Sequence, residues 1–242
     1  MNITIIGYGK MGKEIDRIAG EHGIRVLHRL TSQSTWNERE HQDSDVAVHF
    51  ARSDSVLPSV QRWASLGKNM VVGTTGWQNE FDKVKSAVTD AKIGLVHASN
   101  FSIGVQIFFR ILRETARLMN KFEEYDVTVH ESHHKDKADS PSGTALSAAK
   151  MLLEKMERKK SILTDRPEGK IRPDQLQITS TRSGAIVGTH LVTFDSLADS
   201  VELKHTAKNR TGFALGALLA AEWVVGKQGL FTMEDVLADI VR

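Results

Sequence analysis

With 242 residues, 40% of them hydrophobic and 26% charged, the chain is long enough to bury a core and too apolar to stay disordered. A formal net charge of +2 without a lysine- and arginine-rich block argues against nucleic acid as a partner. The absence of cysteine excludes disulfides, thiolate catalysis and cysteine metal sites, and fits a reducing compartment. The opening "MNITIIGYGKMG" has no basic region ahead of a long apolar run, so no secretory signal is expected. The stretch "GFALGALLAAEWVVG" is interrupted by Glu222 and falls short of the roughly 20 residues a membrane span needs. It predicts a buried helix, no membrane association and a cytoplasmic protein.

In chain order, the first half alternates strand and helix. "ITIIG", "IRVLHRL", "VAVHFA", "NMVVGTTG" and "KIGLVHASN" are short apolar runs. Between them, "KMGKEIDRIAGEHG", "SVLPSVQRWASLG" and "QNEFDKVKSAVTDA" have helical spacing. Such alternation predicts a parallel sheet with helices on its faces. The pattern then changes: "FSIGVQIFFRILRETARLMNKF" reads as one long helix, "YDVTVHES" as a strand and "SGTALSAAKMLLEKMERKK" as an amphipathic helix. "ILTDRPEGKIRPDQ" reads as an exposed loop. "LQITSTR", "AIVGTHLVTFD" and "SVELKHTAK" follow as successive strands, which suggests antiparallel pairs. "TGFALGALLAAEWVVGKQ" and "TMEDVLADIVR" close the chain as helices. The expected fold is α/β. A doubly wound, Rossmann-type dinucleotide-binding domain spans residues 1–100 and 212–242. A second α+β domain with a mixed open sheet spans 101–211 and is the candidate for substrate binding.

"GYGKMG" places Gly7, Gly9 and Gly12 in G-x-G-x-x-G spacing between the first strand and the first helix, around Tyr8, Lys10 and Met11. Gly7 permits the tight turn, Gly9 lets backbone approach a pyrophosphate, and Gly12 allows helix–strand packing. The helix N-terminus adds unpaired N–H donors for the phosphates. The competing reading, a simple turn, leaves the agreement of motif, strand and helix unexplained. Where an acid would hold the ribose of NAD, at the end of the second strand, stand Thr31 and Ser32; no Asp or Glu occurs from Ile24 to Ser34. Hydroxyls there, with Arg29 or His28 nearby, accept a 2′-phosphate that a carboxylate would repel. The cofactor is therefore NADPH or NADH, with a lean to NADPH or dual use, unless the loop makes no 2′ contact. Gly73, Thr74 and Thr75 end the fourth strand, and Ala98, Ser99, Asn100 and Phe101 follow the fifth. Ligands collect beyond strand C-termini, so these residues are candidates for lining the nicotinamide, although tight turns alone would also account for them.

"ESHHKDKADSPSGTAL" concentrates proton carriers and anion binders ahead of a helix, and three of the ten histidines fall between His130 and His134. His133 and His134 arrive at the end of a strand, on a loop from which both can reach one pocket. Metal binding is disfavoured, since Lys135 and Lys137 would repel a cation and the spacing is unlike common zinc sites. A solvated polar loop leaves the next residues unexplained. Ser140 or Ser142 can cap the helix, and Pro141 suits its first position. With Ser142 as cap, the Gly143 and Thr144 amides, the Thr144 hydroxyl and the Lys137 ammonium make a carboxylate receptor. The imidazoles are then placed for proton transfer.

"ESHHKDKADSPSGTA" resembles the signature of the 4-hydroxy-tetrahydrodipicolinate (dihydrodipicolinate) reductase family. "GYGKMG", "GTTG", "NFSIGV", "RSGAIVGTHLV" and "HTAKNRTGFALGAL" are similar to family segments in the same order, so the likeness covers essentially the whole chain. Departures are Ser132, Ser140, His49 where an acid often stands, and the missing acid at Thr31. The resemblance implies NAD(P)H-dependent reduction of 4-hydroxy-tetrahydrodipicolinate in lysine and diaminopimelate biosynthesis. It implies His133 as proton donor, with Lys137 assisting, and His134, Lys137, Gly143, Thr144 and Arg210 holding the small dicarboxylate substrate. A homotetramer built through the second domain's sheet is implied in the same way. Rival readings are a related reductase such as an aspartate dehydrogenase, which the second carboxylate pocket disfavours, and a non-catalytic nucleotide-binding regulator, which needs no adjacent proton donors.

Overall fold

The computed structural model describes residues 1–164, 167 and 169–240. The first part of the chain forms β1 (Asn2–Ile6), α1 (Lys10–Glu21), β2 (Arg25–Leu30), α2 (Glu38–His41) and β3 (Val46–His49). It continues with α3 (Val56–Ser65), β4 (Asn69–Val72), α4 (Phe81–Asp90) and β5 (Gly94–His97). The middle adds α5 (Ile103–Met119), β6 (Asp126–His133), α6 (Gly143–Lys155), β7 (Ser161–Leu163), β8 (Gln175–Arg182), β9 (Gly188–Asp195) and β10 (Ser200–Ala207). The chain then forms α7 (Thr211–Val224), β11 (Gly229–Thr232) and α8 (Met233–Ile240). Two compact units result. One comprises Met1–Gln106 with the chain from Arg210 on, and the other comprises Ile107–Asn209. Among the described residues, no helix is long and apolar enough to cross a membrane.

The first unit holds a six-stranded sheet in the order β11-β5-β4-β3-β1-β2, parallel throughout. Its central strands are mostly apolar, because both faces are covered, with Thr4 and His49 as buried polar exceptions. Successive side chains alternate between two cores. Ile3, Ile5, Val46, Val48, Val71 and Val96 join one core with α1 and α7. Ala47, Met70, Val72 and Leu95 join the other, with Trp63 of α3 and Val84 of α4. The doubly wound architecture expected from the alternation is thus present. The four-residue strand β11 gave no sequence signal; "GLFT" is too short to show a period, and its edge pairing with β5 is a tertiary choice. α2 is a single turn and was missed for the same reason.

The second unit holds a mixed five-stranded sheet, β10-β9-β6-β8-β7. β6 runs parallel to β8 and antiparallel to β9. Residues 127, 129, 131 and 133 of β6 and 188, 190, 192 and 194 of β9 point to one buried face. Near one end that face carries Val127, Val129, Val192 and Phe194, beneath α6 and its buried Ala145, Ala148 and Leu152. Near the other it carries Glu131, His133 and His190. The segment read as one loop contains β7, while residues 165, 166 and 168 of it lie outside the described residues.

His49, at the end of β3, is fully buried; its Nδ1 lies 2.8 Å from Thr74 Oγ1 and its Nε2 3.2 Å from Ser55 Oγ. Burial lowers its pKa from 6.5 to about 4. The folded state therefore refuses a proton that the unfolded chain accepts, so stability is complete above pH 6.5 and is lost as pH falls towards 4. His49→Asn is expected to flatten this acid limb by on the order of 3 kcal/mol, read from urea unfolding at pH 7 and pH 4. An unchanged limb would show that His49 is not its source.

Candidate active site

In the first unit the glycine turn follows β1. Gly7 has φ +95°, and a Cβ on it would strike the Phe50 carbonyl. A Cβ on Gly12 would strike the Gly7 carbonyl and the Ile5 side chain, whereas nothing lies within 4 Å of that position on Gly9. Gly9 is also the N-cap of α1, without a side-chain cap. The turn is therefore shaped to leave first-turn amides open to an anion, which suits a pyrophosphate. Beside it lies a cavity of about 560 Å³ whose lining includes Gly7, Tyr8, Gly9, Thr31, Ser32 and Arg62. A second space of about 150 Å³ gathers Thr74, Thr75, Ala98 and Ser99 with Trp77 and His97.

Not every predicted residue presents its side chain there. The Phe101 side chain fills the core and Met11 packs against it. Thr74 is taken up by His49 and Ala51, and Asn100 Oδ1 accepts the Ser102 amide. Gly73 sits against the Phe50 ring, and Lys10 stands exposed at the start of α1. The expected help from Arg29 and His28 is corrected. Arg29 forms a two-point ion pair with Asp16, at 2.6 and 2.7 Å, and Asp16 also accepts the Tyr8 hydroxyl. His28 packs edge-on against the buried His41. The cavity is lined by Arg52 and by Arg62, whose guanidinium lies 5.6 Å from the centre of the Trp36 ring and has no acidic partner among the described residues. Sequence reading missed it because residues 36 and 62 meet only in the fold.

In the second unit, the placement of His133 on a loop is corrected. It is the last residue of β6 and is buried at 8% exposure. Its Nδ1 abuts Oε2 of Glu131, a carboxylate with 0% exposure. The other oxygen, Oε1, accepts Arg182 Nη2 at 2.7 Å and the Ser142 amide at 3.3 Å. Arg182 Nη2 also reaches the Asp139 carbonyl at 2.6 Å. Ser142 caps α6 by accepting the Ala145 amide at 3.2 Å, and the same hydroxyl lies 3.2 Å from His190 Nε2. Ser142 is thus the cap, and Pro141 precedes the helix instead of opening it. Gly143 and Thr144 are the first two residues of α6, with Gly143 exposed and open to approach. Lys137 donates to Asp139 at 2.6 Å, and His134 is half-buried on the loop that follows β6. Arg210 stands at the N-terminus of α7 in the first unit, where its charge acts on Glu14.

Burial would raise the Glu131 carboxyl, but the Arg182 and Ser180 hydrogen bonds and the His133 and Arg182 charges outweigh it and hold it below the usual range. Burial lowers the His133 imidazole; Glu131 opposes that shift, and Lys137 and Arg182 add to it. Burial holds His190 down to about 4. Glu131, His133 and His190 each place one ligand-type atom within 4.8 Å of the others. Arg182 on Glu131 and Lys137 nearby oppose a cation, so the cluster is better suited to holding protons. Glu131, Arg182 and His190 were missed in the sequence. The alternations Val127-Val129-Glu131-His133 and Gly188-His190-Val192-Phe194 are the signal that would have placed three of these four polar residues on one face.

Glycine turn, doubly wound sheet and second mixed sheet define a nicotinamide-nucleotide-dependent oxidoreductase. Comparison with known proteins specifies it. The family profile for the dihydrodipicolinate reductase N-terminus matches residues 1–101, and that for its C-terminus matches 104–237. The chain is 36% identical over 242 residues to the 4-hydroxy-tetrahydrodipicolinate reductase of Christiangramia forsetii, covering 100% of both chains. It is 39% identical over 199 residues to that of Chromobacterium violaceum, covering 80% of this chain and 73% of that one. A dipicolinate-bound dihydrodipicolinate reductase from Paenisporosarcina sp. shares the fold, with a TM-score of 0.79 at 20% identity over 97% of this chain and 98% of that one. The chain belongs to the dihydrodipicolinate reductase family.

Ser142→Ala removes the α6 cap and is expected to lower unfolding free energy by about 1 kcal/mol. Urea unfolding measures this, and an unchanged midpoint would show that the hydroxyl is not used as a cap.

Proposed function

We propose that this reductase converts 4-hydroxy-tetrahydrodipicolinate to tetrahydrodipicolinate in lysine and diaminopimelate biosynthesis, with His133 as proton donor and NADPH as the preferred reductant. The observation that carries this reading is the pairing of His133 with a buried, ionised Glu131 beside the capped start of α6. The nicotinamide nucleotide supplies the hydride. The chain's own residues do the rest.

In this reading Lys137, His134, the Gly143 amide and Thr144 take the substrate's carboxylates: Gly143 and Thr144 open α6, and the Lys137 charge is felt at His133. Binding a dianion there raises the proton affinity of the adjacent His133, which burial has lowered. His133 then releases that proton to the substrate as it is reduced, an assistance typically worth about 10²–10⁴-fold. His133→Gln should therefore lower kcat by about 10²-fold or more while changing KM little, and Lys137→Ala should raise KM and lower kcat. Steady-state assays coupled to the preceding synthase measure both; an unchanged kcat in His133→Gln removes it from the mechanism.

The preference for NADPH rests on the larger cavity of the first unit. Its lining carries Arg52, Arg62 and seven hydroxyl side chains, including Tyr8, Thr31 and Ser32, and no carboxylate. Arg52 is paired with Asp54 at 2.8 Å, which leaves Arg62 as the cation for a 2′-phosphate. Arg62→Ala is expected to weaken NADPH binding about tenfold and NADH binding much less, as measured by quenching of tryptophan fluorescence. Equal losses for both would assign Arg62 to the adenine alone.

A further inference from the structure

We infer that Glu131 and Gly188 are positioning residues for His133: Glu131 holds its Nδ1, so that Nε2 is the nitrogen that exchanges a proton with the substrate, and Gly188 keeps the space before Nε2 open. This rests on the proton-donor reading above and names the parts that make it work. Glu131 is fully enclosed. Oε1 takes Arg182 Nη2 and the Ser142 amide, Ser180 also hydrogen-bonds the carboxylate, and Oε2 lies against His133 Nδ1. An ionised carboxylate in contact with a ring nitrogen can accept from it and donate nothing, so the neutral ring favours its proton on Nδ1. The imidazolium then loses its proton from Nε2 and relaxes to the Nδ1–H tautomer without rotating. The Nε2–H bond breaks and leaves its pair on nitrogen, the hydride's own pair forms the new C–H bond of the substrate, and the π pair displaced by that attack takes the proton.

Nε2 lies toward the first residue of β9. A Cβ on Gly188 would stand 2.9 Å from it, closer than two such atoms can rest. The backbone conformation of Gly188 does not require glycine, since its φ is outside the left-handed region. What the position requires is the missing methyl. The remaining charged or titratable groups around the ring are Lys137, Arg182 and His190, with Asp139 paired to Lys137 and His205 beyond His190. His190, kept neutral by burial, packs edge-on against His133 at 5.2 Å between ring centres and adds no competing charge near neutral pH.

The test is the tautomer of His133, read by ¹⁵N–¹H correlation in the full-length protein across pH 5–9, together with the pH profile of kcat. In the wild type the neutral ring is expected as Nδ1–H; an Nε2–H tautomer overturns the proposal by itself, whatever the variants do. Glu131→Gln keeps shape but has one carbonyl oxygen. Arg182 and the Ser142 amide both require that oxygen, so the new amide NH₂ faces Nδ1 and the ring is expected to switch to Nε2–H. The charge that favoured the imidazolium is gone as well, so the limb on which kcat falls with rising pH moves to lower pH and kcat drops about 10²-fold. Glu131→Asp, which keeps the charge, is expected to retain the Nδ1–H tautomer and part of the rate. Gly188→Ala is expected to lower kcat with the tautomer unchanged. An unswitched tautomer and unmoved profile in Glu131→Gln, or full activity in Gly188→Ala, contradicts the inference. A switched tautomer with kcat unchanged in both Glu131→Gln and His133→Gln would instead uphold the positioning and overturn the proton-donor role.

Discussion

A carboxylate sealed from water is tolerated only when its charge is met on all sides, and Glu131 meets that condition by drawing on three separate elements. The end of β6 supplies His133, the end of β8 supplies Arg182 and the cap of α6 supplies the Ser142 amide. Leaving any one of these out would strand a buried charge, at a cost of several kcal/mol. The same requirement that makes the second unit close correctly also fixes an imidazole next to a helix N-terminus. Folding and chemistry there are one constraint.

Strand periodicity explains how a single face can be apolar near one end and reactive near the other. From Val127 to His133 every second residue of β6 points inward, and β9 answers from Gly188 to Phe194. The antiparallel register sets Glu131 opposite His190 and Val129 opposite Val192. One set of residues anchors α6 and the other equips its N-terminus. In the first unit the arrangement differs: the sheet is buried on both faces, and the candidate groups come from turns beyond the strand ends and from the helices that flank them, as Arg62 of α3 does.

How much of this was legible depends on whether the signal was local. The glycine turn, the parallel sheet and the Ser142 cap are written in contiguous residues, and the reading of "GYGKMG" and "SGTAL" needed nothing else. The histidine loop was half legible. His133 was singled out as a chemical group but placed on a loop, because "HESHH" is too polar to read as buried strand. Its burial is made possible by Arg182 and His190, which lie about fifty residues away and carry no local mark. A shorter separation along the chain, 26 residues, was enough to hide the stacking of Arg62 on Trp36. Arg29 was credited with a free charge because its partner, Asp16, comes from the neighbouring helix.

The account stands or falls on His133 and the anion site of α6 being one site. The direct measurement is calorimetric titration of the protein with pyridine-2,6-dicarboxylate at pH 7.5, in buffers of different ionisation enthalpy. Net proton uptake of up to about one per site is expected in the wild type, as the dianion charges a neutral His133, with binding retained but uptake abolished in His133→Gln. No uptake in the wild type, or the same uptake in the variant, would contradict it.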